Sequence, residues 1–388
     1  MEIKMKNTKS GFRLKSASLV ACMAIASATA ANATTYKSYP MLYMTLPPSD
    51  EPTVNLAGLI EPTYADSSEA NLKNNFAFDR LRIGFVGNYS RNVDYFFMSE
   101  WAPNAITAKS GGGAQAFLAH LTFKDLLGAT NLAVGSMAVP MGYDFYAPTP
   151  NSPWITYADH SYNLYGCGSI DCTADMPNNI FTNIWKPGLM VFDQIDFATG
   201  GSLTYTAGVY NTTGTLFTDN RVERKDFNGS LEYKHGDFMA MYGTRIGSSR
   251  DTDLWRESRD RTRHALSFMY KDYRTDRWWL WAEYMRAKDE QEANVADIKA
   301  DGYFVAGGVK PTDKTLIAYR HSYFDPNKDL NNNTRRVNSI IGTYKMDNGI
   351  RLQAQFDKAS EDSNFSGAIY PGDTFMLRVQ LPLFVKLK

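Results

Sequence analysis

Asp347-Asn348-Gly349-Ile350-Arg351-Leu352-Gln353-Ala354-Gln355-Phe356-Asp357 decides the fold of this 388-residue chain. Its first three residues tolerate the positive φ of a tight hairpin turn. From Ile350 onward, Ile350, Leu352, Ala354 and Phe356 alternate with Arg351, Gln353, Gln355 and Asp357. Strand side chains point to opposite faces in turn, so the segment has one greasy and one wet side. The same pattern recurs. Phe375, Leu377, Val379 and Leu381 alternate with Met376, Arg378 and Gln380. Leu81, Ile83 and Phe85 alternate with Arg80, Arg82 and Gly84, and Leu203, Tyr205, Ala207 and Val209 with Ser202, Thr204 and Thr206.

Sixteen segments of strand length can be placed between Glu51 and the last residue. Connections after even-numbered segments are tight: Ser90-Arg91-Asn92, Lys124 to Ala129, Thr199 to Ser202, His235-Gly236-Asp237, Arg274-Thr275-Asp276, Lys310 to Lys314, and Asp347-Asn348-Gly349. Connections after odd-numbered segments are longer, near 63–75, 102–113, 140–187, 212–225, 247–261, 287–299, 324–334 and 358–372. Short turns on one rim and long loops on the other mark an up-and-down outer-membrane barrel. The expectation is an all-β fold, a transmembrane antiparallel β-barrel of about 16 strands. A soluble barrel of that size would enclose a lumen too wide for side chains to fill.

The N-terminus reads as an export signal. Lys4, Lys6, Lys9, Arg13 and Lys15 precede an apolar, small-residue stretch from Ala17 to Ala30, and Ala31-Asn32-Ala33 is an A-x-A site. Leu19-Val20-Ala21-Cys22 offers a lipoprotein reading, but the apolar run before Cys22 is short and continues past it. The expected division is a signal peptide at 1–33, a Pro- and Met-rich periplasmic extension at 34–52 and a barrel at 53–388. The whole chain carries 41 basic and 41 acidic residues. Removing the basic signal leaves a slightly acidic chain, which does not suggest a nucleic-acid partner. No apolar stretch after the signal is long enough for a transmembrane helix. Aromatics reach 13% while mean hydropathy is −0.37, as alternating lipid-facing and lumen-facing residues would give.

The third long connection, Pro140 to Pro187, is the longest, and such loops are usually functional. It holds Asp144, Asp159, Asp171 and Asp175 against one Lys186. It also holds Cys167 and Cys172, for which a disulfide is the natural reading in an exported chain. A metal or haem site is the competing reading, and no His stands beside either cysteine. Alternation turns Arg80, Arg82, Arg245, Arg320, Arg351 and Arg378 toward the lumen, with Glu61, Asp94, Glu100, Glu232, Glu283 and Asp357. Inward arginines can select anions. Arginines opposed to acids can equally brace and solvate the wall, and the sequence leaves both readings open.

Arg80-Leu81-Arg82-Ile83-Gly84, Gly87 and the turn into Val93-Asp94-Tyr95, with Val134-Gly135 and Val139-Pro140-Met141-Gly142, make the chain resemble the phosphate-selective porin O and P family. The resemblance implies a sixteen-stranded, usually trimeric, outer-membrane channel that passes anions, with a third external loop folded inward as a constriction. The acidic loop departs from the basic constriction of phosphate-binding members. The chain also runs past Phe384 through Val385-Lys386-Leu387-Lys388, where barrels commonly end on an aromatic.

No G-x-S-x-G elbow or P-loop occurs, and no enzyme is expected. His264 with Ser267 and His321 with Ser322 have odd separations, which put each pair on opposite strand faces. The expected function is passive diffusion of small hydrophilic solutes or ions, an anion preference being one option, through a homotrimer among outer-membrane lipids of a Gram-negative bacterium. No cofactor is required. The rival is a barrel that sheathes a partner such as a multihaem cytochrome.

Overall fold

The computed structural model describes residues 46 and 49–387, apart from 69–73, 103–114, 127–129, 147–151, 162, 165–184, 212–224, 250–258, 291–296 and 366–371. The strands are β1 (Asn55–Ser67), β2 (Asn75–Ser90), β3 (Val93–Glu100), β4 (Gln115–Phe123), β5 (Asn131–Ala138), β6 (Trp185–Asp196), β7 (Gly201–Asn211) and β8 (Lys225–His235). They continue as β9 (Phe238–Ser249), β10 (Arg259–Tyr270), β11 (Trp278–Asp289), β12 (Ile298–Thr312), β13 (Thr315–Asp325), β14 (Arg335–Lys345), β15 (Arg351–Glu361) and β16 (Thr374–Lys386). Each pairs antiparallel with the next, and β16 returns to β1, so the sheet closes as a barrel of sixteen strands. Closure leaves no open edge, which a spanning sheet requires because lipid offers no hydrogen bonds.

The connections alternate as the sequence predicts. The β14–β15 turn is one of the tight ones. Gly349 sits there at φ 86°, its N–H donates to the Met346 carbonyl, and Asn348 Oδ1 accepts from the Ile350 N–H. β1 runs on to Ser67 and β15 to Glu361, past where the expected loops begin, and two other boundaries move charged residues. β6 begins at Trp185, so Lys186 belongs to the wall opposite Met137 and not to the third loop. β10 begins at Arg259, which brings Arg261 out of the expected loop and into the barrel, beside Arg263. In both cases a charged residue at a strand end obscured the period. The expected signal peptide, Cys167, Cys172, Asp171 and Asp175 lie outside the described residues, as does most of 34–52.

The outer surface is apolar. Leu280, Val305 and Ile340 are each 53% exposed, and Phe85, Phe97, Leu121, Val191, Leu266 and Val379 line the same face. A contiguous apolar surface around a whole barrel is a lipid-facing surface. The inner face carries the charged residues, but it is not uniformly wet. Met98, Met137, Met190, Met239, Met241, Met269, Met285 and Met376 are buried inside with Trp279, Trp281 and Phe304. The Trp278-Trp279-Leu280-Trp281 run resolves accordingly: Trp278 and Leu280 face out, Trp279 and Trp281 face in. Residues of the third loop join this inner cluster, as does Leu46 of the N-terminal segment.

Candidate pore constriction

After β5 the chain turns into the lumen instead of over the rim. Val139, Pro140, Met141 and Gly142 are buried, and the Pro140 carbonyl accepts from Asn228 Nδ2 at 2.7 Å. A short helical turn, α1 (Tyr143–Tyr146), follows. Its first amides point at Glu283 of β11: Tyr143 N–H donates to that carboxylate, as does Asp144 N–H at 3.0 Å. Glu283 also accepts from Ser267 Oγ at 2.8 Å and Ser161 Oγ at 3.0 Å. Four donors converge on one buried carboxylate, so its cost of desolvation is met by directed hydrogen bonds. The approach needs Gly142, because a Cβ there would stand 2.7 Å from Glu283 Oε1.

The next stretch is docked on β11 and on β13 to β16. Trp154 lies under the Arg320 guanidinium at 4.7 Å and meets Trp279 edge-on. Arg378 donates to the carbonyls of Ile155 and Trp154, both at 3.1 Å. Gln355 accepts from Ile155 N–H at 2.8 Å and donates to Thr156 Oγ1 at 3.0 Å. Arg320 donates to the Thr156 carbonyl at 3.0 Å, and Gln353 to the Pro153 carbonyl at 3.3 Å. Asp144 Oδ2 accepts from Ala158 N–H at 2.9 Å, tying the two parts of the loop together.

Beyond it, α2 (Asp159–Ser161) packs on β12, where Gly302 leaves room for His160. Asp159 pairs with Arg335 at 3.3 Å, and Arg263 Nε donates to the Leu164 carbonyl at 3.0 Å. The loop, which leaves β5, is therefore clamped along the arc of wall from β10 to β16.

Burial acts on the loop's own ionisable groups. It pushes the Asp144 carboxyl above the ordinary carboxylate range, against the pull of Arg320. It holds the His160 imidazole down at about 3, with Arg320 adding to the effect.

Away from the loop, the inward arginines stand in ion pairs. Arg80 meets Glu61 at 2.5 Å, and Arg378 reaches the same carboxylate at 3.6 Å. Arg82 pairs with Glu100 at 2.8 Å, and Asp94 with Lys124 at 2.8 Å. Arg245 and Arg261 share Asp226, and Arg263 holds Asp289. Arg351 is half-buried near the short-turn rim, away from the loop. The structure thus gathers Asp144, Asp159, Glu283, Arg320 and Arg378 about the loop, and sets Arg80, Arg82, Asp94, Glu100 and Arg245 in pairs around the wall.

Sequence reasoning did not single out Gln353, Gln355, Ser267, Trp154 or Trp279 as loop anchors. Alternation put the glutamines on the wet face but left Trp279 unassigned; nothing local marks what they hold. The proposed Ser–His pairs fall on opposite faces: His264 is outside against Tyr242, and Ser267 is buried inside.

No protein-family model matches the chain, and no curated protein sequence does. Solved structures do. OmpT of Vibrio cholerae, an outer membrane protein in a trimer form, matches with TM-score 0.57 at 14% identity, covering 86% of this chain and 100% of that one. The outer membrane channel DcaP of Acinetobacter baumannii matches with TM-score 0.58 at 12% identity over 88% of this chain and 100% of its own. OmpF of Salmonella typhi, solved with daunomycin, matches with TM-score 0.59 at 10% identity over 86% of this chain and 97% of its own. At these identities the likeness is one of fold, that of the Gram-negative outer-membrane porin barrel. The phosphate-selective family is not singled out by it.

Proposed function

We propose that this chain forms an outer-membrane channel through which small hydrophilic solutes diffuse passively, filtered by its third loop. The observation that carries the reading is the inverted barrel, lipid-facing outside and charged inside, with one loop clamped across the lumen. Filtering follows from size and from charge close to the path. Inward cations and carboxylates are interleaved in ion pairs, so opposite fields cancel over short distances. Weak ion selectivity fits this better than a phosphate filter. A homotrimer is proposed by analogy with the Vibrio cholerae barrel. A loop that occupies the lumen speaks against a sheath around a cytochrome.

The test is electrical. Purified protein in a planar bilayer should give discrete, ohmic steps, and a salt gradient should give a reversal potential near zero. Absence of steps from correctly folded protein would remove the channel reading. A reversal potential near the chloride limit would replace weak selectivity with an anion filter.

A further inference from the structure

The connection after β10, residues 271–277, reaches from the short-turn rim into the lumen. Lys271 holds φ 64°, a left-handed bend that redirects the chain as it leaves the strand. Asp272 then organises the turn. Its carboxylate accepts from the Arg274 N–H and from Arg274 Nε, both at 2.8 Å, and its carbonyl accepts from the Asp276 N–H at 2.8 Å. Both legs are pinned to neighbouring connections. The Lys271 N–H donates to the Asp237 carbonyl, and the Arg277 carbonyl accepts from the Lys310 N–H, each at 2.7 Å. A turn braced in this way can bear load.

Tyr273 is only 4% exposed, although Arg274 and Thr275 beside it are exposed. Its ring stacks on Trp281 at 5.8 Å and meets Trp279 edge-on at 5.8 Å. Both indoles face inward and touch the third loop. Tyr143 of α1 stands edge-on to Trp281 at 5.9 Å, and Trp154 edge-on to Trp279 at 6.5 Å. Tyr273 is thus the foot of two aromatic columns, one under each of these docked parts of the loop. The Tyr143 hydroxyl lies within electrostatic reach of Tyr273, Arg274 and Asp272, and the Arg274 guanidinium sits 5.9 Å over the Tyr273 ring. The indole N–H groups of Trp154, Trp279 and Trp281 find no acceptor among the described residues. Ring packing therefore holds the columns, with no indole hydrogen bond to keep them standing without their foot.

We propose that Tyr273 is a positioning residue of the filter: from the short-turn rim it props the third loop at its height in the lumen, and Arg274 beside it sets the charge at the mouth below. The proposal rests on the channel reading and adds a periplasmic element to it. A loop that leaves the wall on the external side is held from beneath by a turn of the other rim. Arg274 can act on solutes because its side chain is 41% exposed, with Asp272 as its ion-pair partner. Charges that line a pore mouth bias which ions enter.

Planar-bilayer recording of the full chain would test it, with heat-modifiable mobility as the folding control. Tyr273→Ala should enlarge the single-channel step and add open-state noise, whereas Tyr273→Phe, which keeps the ring, should conduct as wild type does. An unchanged step in Tyr273→Ala, or a Tyr273→Phe channel that behaves like it, would overturn the positioning role. Arg274→Cys leaves the columns in place and so reads the mouth even where the alanine variant does not fold. Modified by a cationic or an anionic methanethiosulfonate, it should shift the reversal potential in opposite senses, and should react faster from the periplasmic side. Wild type treated alike corrects for Cys167 and Cys172, and Asp313→Cys on the next short turn should show no shift. Equal rates from both sides, or no shift, would overturn the Arg274 assignment. Tryptophan emission needs no current. It should move to the red in Tyr273→Ala and stay put in Tyr273→Phe, so a missing prop is told apart from a missing channel.

Discussion

Glu283 sets the position of the loop more than any other single side chain. It accepts from two loop amides and two hydroxyls in a buried setting. Glu283→Ala would remove the shared acceptor of all four, leaving Tyr143 N–H only Ser267 Oγ and the Ser161 hydroxyl only His160. The cost to loop docking is on the order of 3 kcal/mol, the scale of buried hydrogen bonds to a charged group. The expected outcome is a larger single-channel conductance with more open-state noise, at unchanged barrel mobility on a semi-native gel. Unchanged conductance would mean that the clamp on β13 to β16 suffices.

Two loop residues also make docking depend on pH, in opposite senses. The docked imidazole of His160 titrates at about 3, below its ordinary value of 6.5, so the released loop takes the proton first. That contribution is complete above 6.5 and is lost as pH falls toward 3. Asp144 is raised by burial, so the docked loop holds its proton more tightly, and docking weakens as pH climbs through that raised value. Asp144→Asn should therefore leave a channel whose noise grows steadily from pH 7 to pH 4. Adding His160→Asn should flatten that profile. Noise that grew toward alkaline pH in the single variant would contradict this assignment of signs.

At the scale of the element, the β14–β15 hairpin turn is the clearest case of local chemistry deciding geometry. Gly349 holds φ 86°, which a side chain with a Cβ occupies at a cost of about 1–2 kcal/mol. Gly349→Ala should lower the stability of the barrel in detergent by that amount, read from urea unfolding, whereas Gly342→Ala, mid-strand on an open face, should leave it nearly unchanged. Strands and turns were legible because each is a short-range pattern. Period two assigned Phe356 and Leu377 to the greasy face and Arg320 and Arg378 to the lumen without reference to any other strand. Where the period was blurred by a charged end residue, as at Lys186 and Arg259, the boundary was misplaced. The clamp was not legible. Gln355 touches Ile155 across 200 positions of sequence, and Arg378 touches Trp154 across 224. No window of the chain contains both partners. The inner methionines escaped for a related reason. An inward apolar residue looks like an error in a porin strand until the loop that covers it is in place.

At the scale of the whole molecule, the apolar outer wall makes a directional claim. Val305 and Phe304 are neighbours in sequence, one 53% exposed and the other fully buried. Val305→Arg places a charge in the hydrocarbon and should cost about 2–4 kcal/mol near mid-membrane. Tyr89 lies at the end of β2 beside the Arg91 turn and is 70% exposed, and Tyr89→Arg should cost about 0–1 kcal/mol there. Folding titrations into phosphatidylcholine vesicles would measure both, and equal costs would mean that the wall does not sit in lipid with Val305 at depth.

Arg378, on the final strand, holds two carbonyls of the loop and also grips Glu61 on the first strand. The sieve and the seam thus share a fastener that reaches its seat only when the last stave is fitted. Until β16 is seated, the Trp154 and Ile155 carbonyls and the Glu61 carboxylate lack this shared donor. Closing the cylinder and tightening its filter are, in this chain, linked through one guanidinium.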